Sequence, residues 1–578
     1  MIEDKKLKDL LTKDDLIDAK KLADAFKECQ EKKTTLFYYL LEKNLVSESV
    51  LYNLAADFFK LPLVDLKDEN IRKDILFFVP EPIAQAHEIV AFGESDEGIK
   101  IATTDPTDLQ TIEFLKKRLE KNLVIHLATP KTIKEALKQY HQSLEAEFQN
   151  IGKAEQDEPG EKTDQELKEL AQDLPIVRVV DTLLEYAIFE DASDIHIEPT
   201  EKNVVIRYRL DGMLKEVMTL PKSVQAGLVA RIKVLANLKL DEHRLPQDGR
   251  FKISSPQYKV AFRVSIIPVF DGEKVVLRLL NESTKTLSLE DLGLQKKQLE
   301  LLKTGISKPH GIILVTGPTG SGKTTTLYTI MNVLNKPAVN IATIEDPIEY
   351  RMPRINQSQV NPKIDFTFAK GLRALLRQDP NIIMVGEIRD KETAEIAANA
   401  AMTGHLVLST LHTNDAVSSP QRLINMGIPS FLVSSTTNLI MAQRLVRKIC
   451  KNCIYSYTLD KKMIEELDRH FNLKKVFEFL IKEGLLAKDK ASSLDEVLFY
   501  RGKGCKKCGQ TGYKGRVGIY ELMEVSPKIA GLITEKASVE QIFNQAIAEG
   551  MVILTQDGFI KAITGVTSVE EVLRVTQE

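Results

Sequence analysis

Residues 317–324 read Gly-Pro-Thr-Gly-Ser-Gly-Lys-Thr and match the phosphate-loop pattern G-x-x-x-x-G-K-[ST] at every constrained position. The flanks suit it. Residues 311–316 are a short apolar run fit for a buried parallel strand, and 323–335 have helix-forming composition without proline. A strand, a glycine loop and a helix N-terminus together aim backbone N–H groups at a phosphate chain. Gly317, Pro318, Thr319, Gly320, Ser321 and Gly322 would wrap the phosphates, and Thr325 would follow in the first helical turn. Lys323 would reach the β- and γ-phosphates, with the Thr324 hydroxyl on Mg²⁺. The pattern implies an ATP-type site on an α/β sheet.

The 578 residues are too many for one core and predict three or four domains. A net charge of −3 gives no bulk drive toward nucleic acid or an anionic membrane. No apolar run approaches the roughly 18 residues that span a bilayer. The N-terminus, Met-Ile-Glu-Asp-Lys-Lys, opens a charged helix and not a signal peptide. The expectation is a cytoplasmic protein whose membrane role is peripheral.

Four of the five cysteines form the pairs Cys450/Cys453 and Cys505/Cys508, each C-x-x-C. Two such knuckles offer four thiolates to one tetrahedral ion, which points to structural Zn²⁺. Disulfides and single-pair redox chemistry compete, but a cytosolic ATPase sits in a reducing compartment. Cys29 falls on a predicted helix and reads as a small core residue.

Residues 1–60 read as short helices, with Thr12 and Ser47 as N-caps. Residues 61–142 form a small mixed α/β unit whose strands lie near 99–102 and 124–127, with His126 packed in the second. The 145–166 stretch holds eight acids against two lysines and a Pro159-Gly160 pair, the composition of a flexible linker. The domains expected are 1–142, a linker at 143–168, 169–285, and 286–578 with the cysteine insert at 450–508. Within 169–285, Asp211-Gly212 and Asp248-Gly249 each carry the sequence of a two-residue hairpin turn.

Two apolar strands after the loop end in acids, 340–344 before Glu345-Asp-Pro-Ile-Glu349 and 381–385 before Gly386-Glu387. In a nucleotide-binding sheet one such acid orients Mg²⁺ through water and another polarises the attacking water. His405 and His412 bracket a further strand, His412 lying toward the γ-phosphate, while His405 reads equally as structural. Arg207 and Arg209 share one face of a hairpin strand, with Arg250, Arg263 and Arg278 in or beside neighbouring strands. Fixed guanidinium groups suit a transferring phosphoryl, and surface ion pairing is the competing reading. Asp194, His196 and Glu198 share a strand face that reads as a hydrogen-bonded structural surface.

The ordered set resembles the secretion ATPase superfamily, and within it the type IV pilus extension (PilB-type) and type II secretion (GspE-type) motors. It comprises 192–199 (Ala-Ser-Asp-Ile-His-Ile-Glu-Pro), 207–212 (Arg-Tyr-Arg-Leu-Asp-Gly), the phosphate loop and the acids at 345–349. Gly386-Glu-Ile-Arg-Asp390, the histidine pair, the paired C-x-x-C and 512–521 (Gly-Tyr-Lys-Gly-Arg-Val-Gly-Ile-Tyr-Glu) complete it. The resemblance implies a multidomain α/β protein. Its RecA-like domain carries the zinc-knuckle insert, follows a PAS-like α/β domain, and is preceded by a mobile N-terminal domain. It further implies a homohexamer with Glu345 as general base, Glu387 orienting Mg²⁺, and Arg209 completing the site between domains. ATP hydrolysis would turn a platform protein at the inner membrane, and the N-terminal domain would meet a cytoplasmic assembly adaptor. Extension is preferred over type II secretion, with a nucleic-acid translocase a more distant alternative. Thr35-Leu36-Phe37 stands where cyclic di-GMP sensors carry Arg-Leu-Gly, so that ligand is not carried over.

Overall fold

The computed structural model describes residues 2–13, 17–32, 35–43, 45–67, 69, 71–137, 139–140, 164–254, 259–281, 287–486, 497–505 and 508–577. The chain divides between Ser283 and Thr284 into two compact units. Among the described residues no helix is long and apolar enough to cross a membrane.

In the first unit, helices Asp4–Lys13, Ala19–Lys32, Leu36–Glu42 and Glu48–Phe59 bury Leu7, Leu11, Leu22, Phe37 and Tyr52 together, with Cys29 among them. Ser47 precedes its helix, whereas Thr12 sits in the last turn of the first helix and donates back to the Lys8 carbonyl. Strands β1 (Ile89–Ser95), β2 (Gly98–Thr103) and β3 (Leu123–Leu127) come next, and His126 packs edge-on against Phe92.

The expected linker, 143–168, falls largely outside the described residues. Residues 141–163 lie outside the described residues, but Asp164–Gln172 is a helix whose Leu167 and Ala171 pack on Ala230 and Leu240. Nor does the 61–140 segment stand apart from residues 174–277 of the same unit. One core runs from Leu66 to Leu277, and Arg118 bonds Glu185 at 2.6 Å. Phe114 lies 4.7 Å from Phe189, and His87 sits between Asp108 and Glu190. Burial would lower the His87 pKa, but hydrogen bonds donated to these two carboxylates raise it to about 9. A linker's composition reports its own solvation and says nothing of the surfaces it joins.

Six antiparallel strands complete the unit: β4 (Asp194–Pro199), β5 (Asn203–Leu210), β6 (Met213–Pro221), β7 (Gln247–Ser254), β8 (Lys259–Val269) and β9 (Gly272–Asn281). Their order is β6-β5-β4-β9-β8-β7. Asp211-Gly212 forms the expected tight turn, with both φ values positive at 48° and 89°. Asp248-Gly249 does not. It lies inside β7 opposite Ser265 and Val264, and a Cβ on Gly249 would come within 2.9 Å of the Ala236 carbonyl. Close backbone approach, not a turn, is what that glycine permits. The hairpin turn here is Phe270-Asp271, between Val269 and Gly272.

The second unit is a seven-stranded sheet with β10 (Gly311–Thr316), β11 (Ile341–Glu345), β12 (Ile355–Gln359), β13 (Ile382–Val385), β14 (Leu406–Leu411) and β15 (Thr437–Ile449). A small hairpin, β16 (Ile454–Thr458) and β17 (Leu498–Gly502), precedes the antiparallel last strand β18 (Tyr513–Glu524). The order is β12-β11-β13-β14-β10-β15-β18, parallel up to β15. Ile312 and Leu314 enter one core and Ile313 and Val315 another, because a strand's side chains alternate faces. Both faces are buried, as a parallel sheet with crossover helices requires. This is the RecA-like α/β architecture.

Candidate active site

All six residues of β10 are buried, so the strand holds the loop after Thr316 rigidly at the sheet's C-terminal edge. Gly317, Gly320 and Gly322 have φ of 145°, 80° and 89°, values that side chains resist. A Cβ on Gly317 would meet the Gln443 carbonyl at 2.5 Å, and one on Gly322 the Gln443 side chain at 2.7 Å. The loop thus curls over β15 and opens at the start of helix Lys323–Leu334. Lys323 Nζ donates to the carbonyls of Gly317 and Pro318 at 2.8 and 2.9 Å. Burial lowers its pKa, and the charge of Glu387 pulls it back up. Ser321 Oγ is buried without a hydrogen-bond partner. A buried hydroxyl left open inside a glycine cradle fits a phosphate oxygen. Thr324 and Thr325 are exposed at the loop's mouth.

Glu387 follows β13, which β14 separates from β10. It accepts from Arg389 at 2.6 Å and lies 3.1 Å from His412 Nε2. His412 follows β14 on the loop's side, and Thr413 beside it shares a 2.5 Å hydroxyl contact with Thr316. His405 is elsewhere. It precedes β14 at the opposite edge, beside the backbone of Gly311, its ring nitrogen on the Ala400 carbonyl at 2.9 Å. A parallel six-residue strand separates the two histidines, and within this unit only His412 stands with the loop. Asp390 caps helix Lys391–Met402 through Thr393 N–H.

Glu345 does not fit the expected role of general base. Its carboxylate is buried and accepts from Thr343 at 2.6 Å, Gln357 at 3.1 Å and the Tyr328 hydroxyl. Burial raises its pKa, with those donors opposing. A base must reach a water, and this carboxylate is enclosed by protein donors. Glu349, four residues on, is partly exposed in the loop after β11. The motif carries a glutamate at each end, so its letters could not separate the two.

In the first unit the arginines form a row. Arg250, Arg263, Arg278, Asp194 and Arg209 stand directly opposite one another across β7, β8, β9, β4 and β5. Asp194 bridges Arg278 at 3.0 Å and Arg209 at 3.4 Å. Like charges facing each other across strands cost stability, and guanidiniums gathered in one row are of a kind that suits an anion. Arg207 pairs instead with Glu198 at 2.6 Å, and Lys274 joins it at 2.9 Å. Burial would raise the Glu198 pKa, but these donors bring it to about 2. His196 lies 3.5 Å from Glu198, so this end of the face is an ion-paired surface.

Cys450, Cys453, Cys505 and Cys508 gather with sulfur atoms all within 4.8 Å. Neighbouring sulfurs are 3.8, 3.9 and 3.7 Å apart. A disulfide needs about 2.05 Å. A tetrahedral ion with bonds of about 2.3 Å sets its sulfurs about 3.8 Å apart, so the four residues fit zinc.

Sequence reasoning missed Arg444 and Tyr328. Arg444 is buried in β15, donates to the Asn414 carbonyl at 3.1 Å, and its guanidinium would lie 3.2 Å from a Cβ on Gly317. A buried arginine inside an apolar strand was the available signal.

The family model described as type II/IV secretion system protein matches residues 169–574, and that of the MshEN domain matches 59–147. The chain is 40% identical to the type IV pilus assembly ATPase PilB of Myxococcus xanthus over 98% of each chain. It is 47% identical to type II secretion system protein E of Pseudomonas aeruginosa, over 72% of this chain and 78% of that one. Among solved structures, the ATPase DotB of Yersinia pseudotuberculosis shares the fold at a TM-score of 0.51 and 23% identity, covering 69% of this chain and 93% of that one.

Proposed function

The chain belongs to the type II/IV secretion system protein family, and from that premise we propose an ATP-hydrolysing hexameric motor that assembles a type IV pilus. The observation that carries pilus assembly is coverage. Resemblance to the pilus ATPase runs over 98% of the chain, N-terminal region included, whereas protein E matches 72%. Type II secretion is the second reading, favoured by the higher identity within that shared part.

In this reading Lys323, Ser321 and the loop amides hold the phosphates, while Thr324 and Glu387 hold Mg²⁺, Glu387 through water. The metal supplies charge neutralisation on the phosphates. His412 orients Glu387 from the γ-phosphate side. Glu349, in place of Glu345, takes the proton of the attacking water. Arg209 and its row supply positive charge to the phosphoryl group, from the same copy or a neighbour. The four cysteines hold Zn²⁺, which fastens β16–β17 to the body of the second unit. The motor works peripherally at the cytoplasmic face of the inner membrane, on a platform protein, with the N-terminal domain meeting an adaptor.

The test is expression in a host lacking its own pilus ATPase, beside phosphate release from the purified chain. Wild type should restore pili and Lys323→Ala should not. Restored protein secretion without pili would select the second reading, and unchanged phosphate release by Lys323→Ala would remove the site.

A further inference from the structure

Strands β10 and β14 end together, with Thr316 opposite Leu411, and β10 leaves β15 at the pair Thr316–Ala442. β15 runs on, so its next two residues, Gln443 and Arg444, pass beneath the phosphate loop. Successive side chains of a strand leave opposite faces. Gln443 therefore serves one side of the loop: it accepts from Thr326, in the loop's helix, at 2.8 Å, and its amide underlies Gly322. Arg444 serves the other. Its Nη1 donates to the Gln443 carbonyl at 3.1 Å, where both lie against Gly317. Its Nη2 donates to the Asn414 carbonyl, also at 3.1 Å. Asn414 lies two residues past His412, whose ring is 3.1 Å from Glu387. The rest of this segment is anchored too: Thr413 N–H donates to the Thr316 hydroxyl at 2.9 Å and Ala416 N–H to Glu521 at 2.8 Å.

We infer that Arg444 is a positioning residue for ATP hydrolysis: it fixes residues 412–416 against Gly317, and through them sets His412 and Glu387 in register with the phosphate loop. The shape of the guanidinium explains the residue type. Two carbonyls from separate segments meet two arms held in one plane at a fixed spacing, whereas the donors of lysine radiate from a single nitrogen. Arg444 is only 5% exposed. Burying a guanidinium is costly, and an apolar side chain would serve stability as well. A bare electrostatic role is the competing reading, since the charge of Arg444 acts on Lys323. That role would survive replacement by lysine and would show in ATP affinity, whereas a positioning role shows in turnover. The inference rests on the roles proposed above for His412 and Glu387.

The experiment is steady-state ATP hydrolysis by the full chain as wild type, Arg444→Lys, His412→Ala and the double variant, with melting temperatures alongside. Arg444→Lys should lower kcat roughly 10- to 100-fold, the range of a displaced reacting group. KM for ATP should stay within about twofold, because the loop amides and Lys323 remain. The double variant should be no slower than His412→Ala alone, since two residues of one linkage lose their effect once. A merely structural arginine would multiply its effect onto that of His412→Ala. Should Arg444→Lys fail to fold, Arg444→Gln should show the same split and the same non-additivity. A raised KM at unchanged kcat, or effects that multiply in the double variant, would overturn the inference and leave the ATPase assignment standing, provided Lys323→Ala is inactive. Normal turnover by His412→Ala would instead remove the proposed role of His412, and this inference with it.

Discussion

Tyr328, in the helix that follows the phosphate loop, donates its hydroxyl proton to the buried carboxylate of Glu345 at the end of β11. The same oxygen accepts from Glu349 N–H and from Gln357 Nε2, both at 3.3 Å. One side chain thus ties the helix that meets phosphate to the loop that carries Glu349. Tyr328→Phe keeps the ring and removes the tie. Turnover should fall about tenfold, the cost of leaving a buried carboxylate short of one donor, with little change in KM for ATP. A raised KM at unchanged kcat would show that the contact only shapes the binding site.

Glu345 and Glu349 are to be separated by their amides. Glu349→Gln should lower kcat by about 100-fold or more, the range of a lost general base, with stability intact. Glu345→Gln should act on thermal stability, because its carboxylate meets only protein donors. The reverse pattern in phosphate release and melting temperature would restore the role to Glu345.

Arg209→Ala should lower turnover by roughly 10³, as loss of an arginine finger does, while ATP binding weakens far less. Normal hydrolysis by the variant within an intact oligomer would leave Arg209 as a structural partner of Asp194.

Freshly purified, reduced protein should contain one Zn²⁺ per chain by elemental analysis. Cys450→Ser should loosen the 450–508 insert without removing a catalytic group. Substantially less than one equivalent in wild type would overturn the metal assignment.

Glu521 links the site to pH. It is buried on β18, accepts from Ala416 N–H at 2.8 Å, and burial raises its pKa to about 7. The unfolded chain loses this proton near pH 4.5, so folding is penalised as pH rises from there to about 7, and the penalty stays constant above. Glu521→Gln should therefore be more stable than wild type at pH 8, by up to a few kcal/mol, and nearly equal at pH 4. Urea melts at both values check this, and a variant less stable at pH 8 would refute it.

The sequence by itself determined the phosphate loop, the two cysteine pairs and the succession of strands along the chain around them. Each is written in contiguous residues whose chemistry is local: glycines for φ, thiolates in pairs, apolar runs for strands. The Asp211-Gly212 turn was legible for the same reason, and Asp248-Gly249 misled because a neighbouring helix decides whether a glycine turns or packs. Only the tertiary structure decided which acid of 345–349 is enclosed, since that depends on Tyr328 and Gln357 arriving from two other elements. It also aligned four arginines from four strands, and docked Arg118 on Glu185 where the composition of the intervening chain suggested separation. Those are relations between residues far apart in the chain, and burial, which sets whether a carboxylate can meet water, exists only once the chain has folded.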